Sequence, residues 1–266
     1  MEVDLDERLL SPAVATRAVL GEEGRKLVED PKKAPWSLIC CLEYREPGRW
    51  PFLSKWVPFA TGWLVAPDKV VTAAHCLEYP SGHEKVGTPL AEIRVSPGRH
   101  GHKFPFGHQT GYRLFSGWER GPGSLRTPAR DFGVIGLPKP FPHVTTPFEF
   151  GCSGDPACLV GQKVCVSGYP VVEDLEPGFQ YFHEDEIVEI RDGLLHYRTD
   201  TTEGQSGGPV FLIHPTSAGR ARLQVVAIHA HTSEDNRTNL GPLLSGETGE
   251  QVARWVKQGP EESALA

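Results

Sequence analysis

A serine stands among glycines in the segment TTEGQSGGPV, residues 201–210, directly before an apolar stretch. Glycine weakens strands, and a purely structural turn would need one of them at most. The purely structural interpretation of this segment is a tight loop of small residues. The alternative is that Ser206 is a nucleophile on a loop whose backbone N–H groups face a substrate carbonyl.

Two further residues supply what a nucleophilic serine lacks. A serine hydroxyl needs a base to take its proton, and histidine suits that task because its pKa lies near working pH. His75 ends the segment VVTAAHC, where small alanines leave room for its ring. Asp131 opens the segment DFGVIGL, and its carboxylate can hold the histidine tautomer and stabilise the imidazolium. Each residue alone has a structural interpretation, as a buried histidine at a strand end and a solvated aspartate at a strand start.

The segments TAAHC, RDFGVIGL and GQSGGPV resemble those of the chymotrypsin-like serine peptidases, which share the order His, Asp, Ser. ATGWLVAPDKVVTAAHC and TDTTEGQSGGPVF are most similar to the bacterial glutamyl endopeptidases of staphylococcal type, and the likeness covers roughly residues 34–257. It implies an all-β fold of two six-stranded antiparallel barrels, with the active site between them. It also implies a serine endopeptidase in which the N–H groups of Gly204 and Ser206 bind the oxyanion.

The same resemblance gives two conflicting indications of specificity. Thr201 and His229 match positions that contact an acidic substrate side chain, which implies cleavage after Glu more than Asp. Asp200, six residues before Ser206, matches the position at which trypsin-like enzymes bind Lys or Arg. His231 lies two residues past His229 and would share its strand face and tune the pocket if the strand is regular. We favour the acidic specificity.

The sequence departs from the digestive enzymes of the family at two places. Gln205 stands where many of them have an aspartate that pairs with a newly cut N-terminal amine, so we expect no activation by that switch. Thr61 stands where the disulfide partner of the cysteine after the histidine is expected, and Cys76 would have to reach Cys40 or Cys41 instead. In the glutamyl branch a freed N-terminal amine can help to bind the acidic group. Removal of an N-terminal arm near residues 26–28 is therefore a conceivable maturation step.

The elements that must position these residues are short. Segments rich in Val and Ile alternate with Gly and Pro turns, which predicts an all-β protein rather than βαβ units. The predicted strands lie within residues 36–44, 61–75 (a hairpin), 91–98, 130–137, 162–169, 194–200, 208–214 and 223–232. Residues 245–258 predict a helix with Val252, Trp255 and Val256 on one face. We divide the chain into an arm or pro-segment (1–33), a peptidase domain (34–258) and a flexible tail (259–266).

Composition limits the classes of partner. The 266 residues carry a net charge of −7, which argues against a nucleic-acid-binding surface. No apolar run is long enough for a membrane span, and the acidic N-terminus lacks a signal-peptide pattern. A cytoplasmic location is favoured, or secretion if the chain was trimmed. We expect a protein or peptide substrate, no cofactor and no metal. The six cysteines include Cys152 and Cys158, which could form a small bridge or remain free thiols.

Two other classes of protein compete with an ordinary peptidase. One is a catalytically weak module that uses a peptidase fold to bind a partner, and the other is an effector module of a larger intracellular system. Intact triad positions argue for activity. A lipase is disfavoured because GQSGGPVFLIH runs into a strand, whereas the lipase elbow joins a strand to a helix.

Overall fold

The computed structural model describes residues 2–4, 24–46, 54–111, 113–118, 126–152, 154–216 and 220–258. It consists mainly of short antiparallel strands in two sheets. Two strands come from the N-terminal arm, β1 (Glu2–Asp4) and β2 (Lys26–Leu27). Among these residues, no helix is both long and apolar enough to cross a membrane.

The first sheet has seven strands in the order β7-β6-β3-β4-β5-β9-β8. They are β3 (Ile39–Glu46), β4 (Lys55–Ala66), β5 (Lys69–Thr72), β6 (Ile93–Pro97), β7 (Gln109–Gly111), β8 (Arg113–Ser116) and β9 (Gly133–Gly136). The hairpin of β4 and β5 turns at Pro67 and Asp68, as the Pro-Asp pair predicts.

The second sheet has ten strands, and its main order is β1-β15-β14-β11-β12-β13-β17-β16, with β10 on β15 and β2 on β12. Its remaining strands are β10 (Glu149–Phe150), β11 (Lys163–Gly168), β12 (Tyr181–Arg191), β13 (Leu194–Tyr197), β14 (Pro209–Pro215), β15 (Arg220–Ile228), β16 (His231–Thr232) and β17 (Asn239–Pro242). The helix α1 (Gly246–Lys257) follows and buries Val252 against the core.

The all-β fold with a C-terminal helix is confirmed, although the sheets contain seven and ten strands instead of six each. Every predicted strand segment contains a strand. The pattern missed β12, the long strand YFHEDEIVEIR, because its charged residues interrupt any apolar run and most of its side chains are only half-buried. It also missed β7, β8 and β17, which are four residues or shorter.

The described part of the arm is integrated into the second sheet. Strand β1 pairs antiparallel with β15, and β2 pairs antiparallel with β12. Val28 is buried, and its N–H donates to the Gln180 carbonyl at 2.9 Å. The division of the chain at residue 33 stays a prediction, and the predicted tail, 259–266, lies outside the described residues.

The two sheets share one large core. Trp63 and Ile135 of the first sheet belong to the same buried cluster as Phe211 and Val225 of the second. A smaller cluster fills the second sheet alone, around Leu195. All six cysteines are free in the structure, so neither the Cys152–Cys158 bridge nor a link from Cys76 to Cys40 or Cys41 is formed. Packing across the sheets therefore holds the site together.

Candidate active site

Asp131 and His75 lie in contact beside the neighbouring strands β5 and β9 of the first sheet, His75 after the end of β5 and Asp131 before the start of β9. The Asp131 side chain is fully buried, and its Oδ2 lies 2.7 Å from His75 Nδ1. The other oxygen, Oδ1, accepts the backbone N–H of His75 at 2.9 Å. One carboxylate thus fixes both the backbone and the ring of His75, and the ring nitrogen Nε2 is turned away from it.

Local sequence explains where His75 stands. Strand β5 ends at Thr72, and the buried small residues Ala73 and Ala74 lead into a single 3-10 turn over His75–Leu77. Strand β9 pairs with β5 and begins two residues after Asp131. The paired strands therefore bring the ends of two distant segments together.

The Ser206 loop is packed against the first sheet. The Ser206 carbonyl accepts the Thr61 N–H at 2.9 Å and lies 3.5 Å from Cys76 Sγ. Gly207 has φ +85°, and a Cβ on it would approach Thr72 Oγ1 to 2.1 Å. Only glycine fits there, which explains one glycine of the GQSGG motif.

Ser206 and His75 are therefore neighbours across the sheets. Among the described residues, no hydrogen bond joins Ser206 Oγ to the His75 ring. Catalytic hydrogen bonds are often long without substrate and tighten in the substrate complex, so this geometry is compatible with a nucleophile and its base.

Two backbone donors near Ser206 have no acceptor in the described parts of the chain: the N–H groups of Gly204 and Ser206. The Glu203 carbonyl accepts the Val171 N–H at 2.8 Å. A trans peptide places its N–H opposite its carbonyl, so the Gly204 N–H faces away from Val171. Gly204 has φ +87°, and a Cβ would lie 2.4 Å from the Tyr169 carbonyl oxygen. This arrangement is suited to binding an oxyanion.

Burial and charge set the protonation of the pair. Burial by itself would raise the pKa of Asp131, but His75 and His231 beside it lower that pKa well below its usual range. Burial by itself would lower the pKa of His75, whereas Cys76 and the Asp131 carboxylate raise it, with the result well above 6.5. Asp131 is therefore ionised, and His75 is a stronger base than a free histidine.

His231 contacts the same carboxylate. Its Nε2 lies 2.7 Å from Asp131 Oδ2, a close contact that lacks the alignment of a hydrogen bond. The rings of His75 and His231 have centroids 5.7 Å apart. Together with Asp131 they form the one cluster of metal-ligand side-chain types found within the described ranges, with ligand atoms within 4.8 Å of one another. His231 thus adjoins the His75–Asp131 pair.

His229 lies beside the serine loop but faces a different neighbour. Its carbonyl accepts the Gly207 N–H at 2.7 Å, and its ring Nδ1 lies 2.7 Å from the Tyr197 hydroxyl. Strand β15 ends at Ile228, so the regular strand expected through both histidines is interrupted before His229. This break explains why His229 contacts Tyr197 while His231 contacts Asp131. Burial first, and then the charges of His75 and His231, lower the pKa of His229 to about 3.

Thr201 and Asp200 lie in the half-buried start of the same loop. Asp200 donates its backbone N–H to His183 Nδ1 at 2.6 Å, and its carboxylate lies 3.8 Å from that nitrogen. The arm also reaches this carboxylate, since a Cβ on Gly24 would lie 2.5 Å from Asp200 Oδ2. The Asp200 side chain thus lies between the arm and β12, with 36% of its surface exposed.

Three further residues make contacts at the site that nothing in the sequence indicated. Thr61 donates its hydroxyl to the Gly204 carbonyl at 2.8 Å and accepts the Tyr169 N–H at 2.9 Å. Tyr197 contacts His229, and Arg25 contacts the loop before Ser206. Each lies more than 30 residues along the chain from its partner, so no local pattern could have connected them.

Two sheets with a Ser, His and Asp at their junction define a chymotrypsin-like hydrolase. The sequence model of the trypsin-like peptidase domain matches residues 60–214, which include all three side chains. The chain is also 30% identical to a glutamyl endopeptidase of Bacillus licheniformis over 251 residues, covering 92% of this chain and 72% of that protein. The chain belongs to the trypsin-like peptidase family and is a serine endopeptidase.

Other comparisons also found proteases. An extracellular metalloprotease of Bacillus subtilis, so named, is 30% identical over 200 residues, which is 74% of this chain and 58% of that protein. A solved glutamyl endopeptidase in complex with MPD has a TM-score of 0.68 at 20% identity and covers 90% of this chain and 99% of its own. The protease Anisep of Arthrobacter nicotinovorans has a TM-score of 0.60 at 15% identity, with 85% and 96% covered. These two structures support the fold.

Proposed function

We propose that this endopeptidase hydrolyses peptide bonds through Ser206, His75 and Asp131, and that it cleaves after acidic residues, Glu in preference to Asp. The observation that carries the proposal is the buried Asp131 carboxylate, which binds both the ring and the backbone of His75. The loop of Ser206 lies against Cys76, which directly follows His75 in the chain.

The proposed chemistry follows from these contacts. His75 takes the Ser206 hydroxyl proton through Nε2 while Oγ attacks the scissile carbonyl, and the Gly204 and Ser206 N–H groups bind the resulting oxyanion. His75 then gives the proton to the leaving amine, and an acyl-enzyme remains. Water, deprotonated by the same histidine, hydrolyses that ester. Asp131 stays ionised throughout and stabilises the imidazolium.

The preference for acidic residues is supported by the pair of Tyr197 and His229. Burial raises the pKa of Tyr197 well above 10, so it stays a phenol that can donate to His229 Nδ1 at 2.7 Å. In that tautomer the proton of the neutral His229 is on Nε2, where it can be donated to a substrate carboxylate. Thr201 would add a hydroxyl donor from the loop before Ser206.

The alternative, cleavage after Lys or Arg with Asp200 as the anion, has less support. The Asp200 carboxylate, although 36% of the side chain is exposed, already has His183 and the backbone of Gly24 as neighbours. A close pair with a substrate guanidinium would have to compete with these neighbours.

The test is cleavage of a quenched-fluorescence peptide library varied at the residue before the scissile bond, with Glu and Gln peptides as an isosteric pair. We expect cleavage after Glu, less after Asp, and none by Ser206→Ala. Cleavage after Lys or Arg would transfer the specificity role to Asp200. Equal products from the wild type and Ser206→Ala would overturn the serine mechanism, and silence of both would favour the partner-binding module.

A further inference from the structure

The N-terminal arm contacts the loop of the nucleophile through Arg25. Its Nη1 donates to Thr202 Oγ1 in a short hydrogen bond and to Gln205 Oε1 at 3.1 Å. The same Gln205 oxygen accepts the Thr202 N–H at 3.1 Å. Arg25 thus supplies a charged donor to both ends of the segment 202–205.

Gln205 is the centre of that segment. It is fully buried, its N–H donates to the Thr202 carbonyl at 3.2 Å, and its own carbonyl accepts the Gly208 N–H at 3.0 Å. Its neighbours on either side are Gly204 and Ser206, whose N–H groups form the proposed oxyanion site. A rotation of the Gln205 backbone would therefore change the orientation of these two donors relative to each other.

The arm is held in register for this contact. Strand β2 pairs Leu27 with Tyr181 and Lys26 with Phe182, directly after Arg25. Val28 follows with a buried side chain and a backbone hydrogen bond to Gln180. On the other side, the Gly24 backbone packs against Asp200 and His183. Arg25 therefore projects from a segment fixed on both sides.

We propose that Arg25 is a positioning residue that holds the loop 202–205 in the conformation that presents the Gly204 and Ser206 N–H groups. The inference rests on the proposed function of these groups. Gln205 is neutral, so the charge of this contact comes from Arg25, and charge-assisted hydrogen bonds are about twice as strong as neutral ones. The active enzyme keeps its arm at least from Arg25 onward, and a cut near residues 26–28 would disconnect the residue that orders the loop.

The experiment uses the full-length chain with Arg25→Gln and Arg25→Lys, and with Lys32→Gln as a matched control on an exposed arm position. Displacing catalytic groups by about 1 Å can cost about 10²-fold in rate, so we expect Arg25→Gln to lower kcat by about that factor, with KM little changed. Affinity for a peptide aldehyde, whose adduct places an oxyanion in the same site, should fall in parallel. Arg25→Lys should recover part of the loss, added guanidinium should rescue Arg25→Gln, and Lys32→Gln should match the wild type.

Unchanged kcat and aldehyde affinity in Arg25→Gln would overturn the proposal. If that variant does not fold, Thr202→Val carries the test, because it removes one of the two Arg25 acceptors, and unchanged kcat would again overturn it. The intact mass of the active enzyme gives an independent check, since an active species beginning after residue 25 contradicts the proposal. The proposed function fails separately, if Ser206→Ala retains the cleavage.

Discussion

At the scale of single residues, the site combines a buried charge with neutral donors. Asp131 is ionised and fully buried. His229, whose carbonyl accepts the Gly207 N–H beside Ser206, is kept uncharged by burial and by the neighbouring histidines. The side chains proposed as donors to the acidic substrate, His229 and Thr201, are thus neutral.

The raised pKa of His75 predicts the acidic limb of activity. His75 acts as a base only when neutral, so kcat/KM should fall as pH drops through a value above its ordinary 6.5. Asp131→Asn removes the stabilising charge and allows the wrong tautomer, and it should lower kcat by about 10⁴-fold. The measurement is a pH profile of kcat/KM. A Gln peptide serves as control because it has no acidic group of its own, and a midpoint at or below 6.5 would contradict the assignment.

Tyr197 should control specificity through His229. Tyr197→Phe removes the donor to His229 Nδ1, and the loss of one hydrogen bond of about 1 kcal/mol should reduce kcat/KM for a Glu peptide roughly fivefold. The ratio of the Glu to the Gln peptide should fall, because only the acidic substrate depends on the His229 proton. Tyr181→Phe on β12 is the matched control. An unchanged Glu preference in Tyr197→Phe would remove this pair from the pocket.

At the scale of elements, the hairpin of β4 and β5 is the support for the site. It delivers His75 from the end of β5, and it presents the Thr61 hydroxyl of β4 to the Gly204 carbonyl in the loop before Ser206. The motif TGW therefore serves the site through the threonine hydroxyl, which takes the place of the disulfide partner expected there.

Thr61→Val tests this bridge. The substitution keeps the size of the side chain but removes the hydroxyl. The buried Gly204 carbonyl and Tyr169 N–H then lose their hydrogen-bond partner. Each such group costs about 1–3 kcal/mol, so the free energy of unfolding should fall by at least about 2 kcal/mol. We also expect kcat to fall because Gly204 carries one of the proposed oxyanion donors. Urea unfolding and peptide kinetics measure the two effects, and Thr61→Ser, which keeps the hydroxyl, should retain most of both. Equal stability of Thr61→Val and the wild type would contradict the role.

At the scale of the whole molecule, noncovalent packing holds the two sheets together. Burial raises the pKa values of Cys40 and Cys165 well above 9.0, and raises the pKa of Cys41 to about 12. These thiols behave as apolar core atoms rather than as reactive groups.

Thiol chemistry should reflect this difference in burial. We expect a chromogenic thiol reagent to label the exposed Cys158 quickly and the half-buried Cys152 slowly in the folded protein, and all six cysteines after unfolding. Reductant should leave Tm unchanged, since no disulfide contributes. Cys158→Ser identifies the fast site. Fewer than six thiols in the unfolded, unreduced protein would show a bridge instead.

The sequence by itself determined the fold class and the class of enzyme, and it indicated the residues proposed to carry the chemistry. Glycines around Ser206, alanines before His75 and short Val-rich strands are local features, and local backbone sterics give each a direct meaning. The predicted division of the chain at residue 33 did not indicate that the arm contributes a strand to the second sheet. The pairing of β2 with β12 joins segments far apart in sequence, and no local pattern reports it.

Only the tertiary structure decided which distant groups support the site. Thr61 reaches Gly204 across 143 residues of sequence, Arg25 reaches Gln205 across 180, and Tyr197 reaches His229 across 32. His229 and His231 contact different residues because β15 ends at Ile228, and the periodicity of the sequence did not predict that end. Such contacts depend on how two sheets close against each other, and that closure is set by the packing of a shared core rather than by any short segment.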